Sequence, residues 1–190
     1  MAIVLDRSGS MSTLRDDAIG GFNTLLADQK KAPGEALLTL VQFDHEYQIV
    51  HDGKPLGEVP PLNAQTYVPR GQTAYLDALG RTIESVGAKL SGMPDADRPA
   101  RVIVVVITDG LENASVEYTA ARVQALIEQQ RNQYSWEFAF IGADEKAIDQ
   151  AQLLGINKTS HYAKTSTGTQ QAYAGASSSL RRYRSGKGYN

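Results

Sequence analysis

A chain of 190 residues, 42% of them hydrophobic and 21% charged, has the length and composition of one folded domain. Its 19 Lys and Arg against 21 Asp and Glu leave no charge surplus to draw it to nucleic acid or an anionic membrane. Cysteine is absent, which excludes disulfides and Cys-ligated zinc or iron–sulfur centres. At this size about 70% of the unfolded chain's surface can be buried, so a metal would be there for function and not to hold the core together.

The chain opens on a short apolar strand, "MAIVL", which ends at Asp6 in "DRSGSMS". Leu14, Ala18, Phe22, Leu25 and Leu26 then recur at helical spacing, with Thr13 placed to form a capping box with Asp16. This helix is expected to end near "APG". "ALLTLVQF" (36–43) and "YQIV" (47–50), parted by "DHE", predict a hairpin of strands two and three. From Asp52 to Gln72 the residues show no periodicity and predict a long loop.

Helical spacing returns in 73–90 through Leu76, Leu79, Ile83, Val86 and Leu90, and "SGMPDADRP" breaks it. "RVIVVVITDG" is a continuous β-branched run, the signature of a central parallel strand covered on both faces. A helix over 117–131, a strand over 136–143, a helix over 144–154, a short strand near "HYAK" and a helix over 168–183 complete the pattern. The alternation predicts an α/β domain of three layers with a mainly parallel sheet, strands two and three forming its one antiparallel pair. One domain over 1–184 and a loose tail over 185–190 follow. The longest apolar run, "VIVVVI" (102–107), is too short for a bilayer, so no membrane association is expected. The chain is read as soluble and cytoplasmic, with export the alternative if residues precede Met1.

In open α/β sheets ligands bind beyond the carboxyl ends of the strands, where the strand order reverses. Asp6 ends strand one and Asp109 ends the 102–109 run. If the order is 3-2-1-4-5-6, the two carboxylates meet at that reversal. Asp6, Ser8 and Ser10 alternate in a turn that Gly9 permits, so their oxygens can converge ahead of the first helix. A few carboxylates with neutral hydroxyls suit magnesium or manganese better than calcium, which gathers more oxygens. Thr73, after Gly71 and at the start of a helix, is the choice for a further hydroxyl, and Thr66 is the weaker candidate. Taken alone, each piece is also what turns and helix caps use.

Together, "DRSGSM", "GQTAYLDAL" and "ITDGLEN" resemble the von Willebrand factor type A (vWA) domain with its metal-ion-dependent adhesion site. The resemblance spans about 5–183, with the motifs in the family's order and spacing, and is nearer to small stand-alone bacterial members than to integrin or matrix domains. "TAYLDAL" stands where many members read "TALYDAL", a departure that touches no ligand position. The resemblance implies the strand order 3-2-1-4-5-6. It also implies a Mg2+ or Mn2+ site in which Ser8, Ser10 and Thr73 supply hydroxyls and Asp6 and Asp109 act directly or through water. The sixth position would then go to an Asp or Glu carboxylate of a protein partner. Stand-alone bacterial relatives resemble components that work with AAA+ ATPases or in stress and resistance systems.

Asp77 reads either as an acceptor that orients ligand hydroxyls or as a carboxylate favoured by the helix dipole. Glu112 and Asn113 read as shaping a partner surface or as turn and cap residues. His45, His51 and His161 lack metal-ligand spacing. The basic tail, with Arg181, Arg182, Arg184 and Lys187, reads as a solvated helix end. An enzyme is not expected. A dehalogenase-type phosphatase would need a second carboxylate where Ser8 stands, and neither a P-loop nor a G-x-S-x-G elbow occurs. A metal-dependent hydrolase of phosphate esters is the alternative to the binding module.

Overall fold

The apolar runs become the strands of one six-stranded sheet, ordered β3-β2-β1-β4-β5-β6. These are β1 (Ala2–Asp6), β2 (Leu37–Phe43), β3 (Tyr47–Pro55), β4 (Ile103–Thr108), β5 (Glu137–Gly142) and β6 (Lys158–His161). β2 and β3 pair antiparallel, and every other pair is parallel. The computed structural model describes residues 1–189.

Every residue of β1 and β4 is buried, as a strand covered on both faces requires. Alternation along those strands divides the core in two. Ile3, Leu5, Ile103, Val105 and Ile107 pack with Phe22 and Leu25 of α1 (Arg15–Lys31) and with Tyr173 and Leu180 of α5 (Ser166–Arg184). Ala2, Val4, Val104 and Val106 face the other way. They pack with Leu79 and Ile83 of α2 (Tyr75–Ser91), Val123 and Ile127 of α3 (Ala120–Tyr134) and Ala147 and Ala151 of α4 (Glu145–Leu153). The result is the three-layer α/β architecture expected from the alternation of elements, and the order reverses between β1 and β4.

Two local expectations change. A 3-10 turn over Gly9–Leu14 runs directly into α1, so Thr13 lies inside the turn and the capping box does not form; Leu14 takes the cap position without a side-chain bond. β3 extends to Pro55, and a 3-10 turn over Leu56–Glu58 follows it, which shortens the expected loop. Within the segment read as a loose tail, Tyr189 is 7% exposed against the α1/α5 core, and Lys187 N–H donates to the Arg182 carbonyl. Among the described residues no helix is long and apolar enough to cross a membrane.

Candidate metal centre

Asp6 is the last residue of β1 and fully buried. Its Oδ1 accepts the Ser8 N–H at 2.5 Å, and its Oδ2 accepts the Thr108 hydroxyl from the neighbouring strand at 2.5 Å. Burial pushes its carboxyl up to about 6, against the pull of those bonds; nearby Asp109 adds a smaller push upward. Beneath it, the Tyr67 hydroxyl donates to the Asp6 carbonyl at 2.5 Å.

The turn after β1 carries the next donors. Ser8 Oγ and Ser10 Oγ lie 3.0 Å apart, and Ser10 donates to Asp109 Oδ1 at 2.5 Å. Asp109, directly after β4, is 1% exposed. The loop that brings Thr73 is tied to the same turn, because Gly9 N–H donates to the Gly71 carbonyl at 3.0 Å and Arg70 N–H to the Arg7 carbonyl at 2.8 Å. Gly71 is required there: its φ is +65°, and a Cβ would lie 2.1 Å from His45 Nδ1. Asn113 clamps Thr73 from the far side. Its Oδ1 accepts the Thr73 N–H at 2.9 Å, and its own N–H donates to the Thr73 carbonyl at 3.0 Å. A Cβ on Gly110 would lie 3.2 Å from Thr73 Oγ1 and 3.6 Å from Ser10 Oγ, so both hydroxyls border the bare face of that glycine.

Asp6, Ser8, Ser10, Thr73 and Asp109 are therefore gathered at the reversal between β1 and β4, from three separated pieces of chain. Thr66 is elsewhere: its hydroxyl bonds within the 63–66 turn to Asn63. Asp77 stands in the first turn of α2, where the helix dipole favours a carboxylate, and its oxygens accept the N–H groups of Val116, Glu117 and Tyr118 rather than a ligand hydroxyl, which pins the loop after β4. Glu112 is a cap: Oε1 accepts from Ala114 N and Ser115 N, and Oε2 accepts from Leu76 N in the first turn of α2 and from the Ser115 hydroxyl.

Several contributors escaped the sequence reading. Thr108 had a signal, standing next to Asp109 in "ITDG", but its side chain turns to Asp6 on the neighbouring strand. Tyr67 lay in unpatterned loop. Asp44, fully buried, receives Arg7 Nε at 3.0 Å and Arg70 Nε at 2.9 Å and so fixes the two loops that flank the Asp6 turn. Arg70 also pairs with Glu46. Lys164 Nζ stands 3.4 Å from Asp109 Oδ2.

Solved structures share this architecture. A pilus adhesin, SpaC from Lactobacillus rhamnosus GG, superposes with a TM-score of 0.65 at 14% identity over 96% of this chain and 30% of its own. A von Willebrand factor type A protein from Catenulispora acidiphila gives 0.60 at 15% identity, over 95% of this chain and 42% of that one. The chain has the fold of a vWA domain. The manganese-loaded TRAP protein of Plasmodium vivax gives 0.57 at 14% identity, over 91% of this chain and 69% of that one. No family model and no curated protein sequence matches the chain. It spans less than half the length of the SpaC and Catenulispora proteins.

The donor set of this vWA fold can be tested against a hard divalent ion. Among the described residues no three His, Cys, Asp or Glu side chains gather into a metal-binding group. What gathers here is two carboxylates and three hydroxyls, all of them oxygen donors of the kind magnesium and manganese accept. Adjacent ligands of an octahedral ion at about 2.1 Å stand about 3 Å apart. The Ser8–Ser10 separation of 3.0 Å matches that edge, whereas Ser10 and Asp109, hydrogen-bonded at 2.5 Å, would have to part by about 0.5 Å; in donor chemistry the residues fit the ion.

Proposed function

We propose that this chain is a divalent-metal-dependent protein-binding module that captures an Asp or Glu side chain of a partner. In this reading Asp6, Ser8, Ser10, Thr73 and Asp109 hold Mg2+ or Mn2+. The observation that carries it is the continuous run of oxygens from Ser8 through Ser10 to Asp109, set over buried Asp6 at the strand-order reversal. The manganese in the TRAP structure, on the same fold, supports the choice of ion.

Charge explains why such a site would seek a carboxylate. Three of the five donors are neutral hydroxyls, which lend lone pairs without cancelling charge, so the ion would keep its affinity for one more anionic oxygen. Bound there, the ion would supply a Lewis-acidic position for an incoming anionic oxygen. The chain's own residues do the rest: Asn113 fixes Thr73, Thr108 fixes Asp6, and the Arg7–Asp44–Arg70 ion pairs hold the flanking loops.

Hydrolysis of phosphate esters finds less support. It needs a base beside the ion, and Glu112, next along the loop, has both carboxylate oxygens engaged by backbone N–H groups. A AAA+ ATPase or another component of a complex is the class of partner in this reading, with a cytoplasmic setting. The test is a pull-down with magnesium or with EDTA, comparing wild type with Ser8→Ala. A prey retained by wild type only with magnesium supports the proposal; prey retained equally in EDTA contradicts it.

A further inference from the structure

Lys164 has no part in the ligand set, yet its ammonium lies 3.4 Å from Asp109 Oδ2. Asp109 Oδ1 already accepts the Ser10 hydroxyl, so the carboxylate is shared between a proposed ligand and a cation. The Asp109 side chain is 2% exposed and that of Lys164 47%, which places the ammonium on the solvent side of the pair.

The placement is built into the backbone. Lys164 lies between β6 and α5, where Tyr162 N–H donates to the Gly142 carbonyl at 3.0 Å and the Tyr162 hydroxyl to the Thr108 carbonyl at 3.3 Å. On its other side Thr165 caps α5, its hydroxyl accepting the Gly168 N–H at 3.1 Å. A Cβ at Gly168 would lie 2.2 Å from the Ala163 carbonyl oxygen, so the first turn of α5 presses directly on the residue before Lys164. Backbone is fixed on both sides. What remains free to move is the long, half-exposed side chain.

The geometry points to Lys164 as a built-in counter-cation of the metal centre, one that holds Asp109 when no ion is bound and has to be displaced when one binds. This inference rests on the metal reading above. A divalent ion held by this donor set would repel an ammonium so close to Asp109 and compete with it for that carboxylate. The flexible stem lets the charge withdraw toward solvent at the expense of its pairing. Lys164 thereby sets a threshold: metal affinity is lower than the oxygen donors alone would give, and the site loads only when free ion is abundant enough to displace the lysine.

The test is titration of the metal-free protein with Mn2+ alone, for wild type, Lys164→Met, Lys164→Gln and Lys164→Arg, with thermal melting of each metal-free protein. Loss of the positive charge should tighten Mn2+ binding by about tenfold, while the charge-conserving Lys164→Arg should leave it near wild type. The gap between wild type and the neutral variants should narrow in high monovalent salt. Uptake of Mn2+ by Lys164→Met where wild type takes up none also supports the role. A lysine that merely supports the loop predicts the reverse, weaker binding with a lowered melting temperature, and that outcome overturns the proposal. Equal affinity in wild type and the neutral variants overturns it too, and leaves the metal site standing. Absence of binding in all four proteins overturns both readings.

Discussion

Ser10 and Asp109 stand 99 residues apart in the chain, yet the serine hydroxyl donates to the aspartate at 2.5 Å. The turn after β1 and the end of β4 meet because parallel neighbours end at the same edge of the sheet. In the metal-free protein Ser10→Ala removes a hydrogen bond to a buried carboxylate and should cost about 1–2 kcal/mol in urea unfolding. Metal affinity should fall with it, while far-UV circular dichroism stays unchanged.

Asp6 sits in the metal-free fold with its carboxyl pushed up to about 6 from 3.8. A carboxyl whose folded value exceeds its unfolded value opposes folding above pH 6, and that opposition disappears as pH falls through 6 toward 3.8. Asp6→Asn should therefore stabilise the metal-free protein by about 2 kcal/mol at about pH 7.5, with the gain vanishing below about pH 4. Magnesium should no longer raise the melting temperature of this variant. Melting curves at both pH values, with and without the ion, check it; a loss of stability at the higher pH would count against the burial argument.

Gly110 leaves bare the face that the Thr73 and Ser10 hydroxyls border. In Gly110→Ala the methyl would stand 3.2 Å from the Thr73 hydroxyl and 3.6 Å from that of Ser10, crowding the donors with an apolar group. Mn2+ affinity should drop about tenfold or more, with a change in folding stability of about 1 kcal/mol or less. Calorimetric titration and urea unfolding separate the two effects.

Asp77 holds three consecutive N–H groups, those of Val116, Glu117 and Tyr118. Asp77→Ala should lower stability by about 2–4 kcal/mol, because hydrogen bonds to an ionised acceptor are lost together. Hydrogen exchange should accelerate at 116–118 and leave β1 protected.

Asp44 is fully buried between Arg7 and Arg70. Asp44→Ala strands the buried Arg7 guanidinium and should cost about 3–5 kcal/mol, more than Arg70→Ala, whose side chain is half exposed. Denaturant midpoints of the two variants rank them.

The elements legible in the sequence are those with strong period. β1 and β4 are buried on both faces and read as unbroken apolar runs, and α2 shows its apolar stripe plainly. The edges were harder. β3 carries exposed and polar residues, Gly53 and Pro55 included, and its pairing with β2 shifts register twice, so only its first residues showed a pattern. β6, "KTSH", is polar throughout and lies upstream of the "HYAK" expected. In the site, the gathered residues were legible because motif spacing placed each at a strand end or a helix start. Tyr67 and Lys164 were not. Each stands in a loop whose path is set by tertiary contacts, Tyr67 by its bond to the Asp6 carbonyl and Lys164 by the clamp between Tyr162 and Gly168. Local sequence carries no trace of such contacts.

The central claim is that one divalent ion is held between Asp6, Ser8, Ser10, Thr73 and Asp109. Electron paramagnetic resonance of free Mn2+ tests it most directly, since bound ion leaves the sharp aqueous signal. Wild type should take up one ion per chain and Asp109→Ala none at the same concentration, with both proteins folded. Equal uptake by the two proteins, or none at millimolar Mn2+ by either wild type or Lys164→Met, would contradict the account.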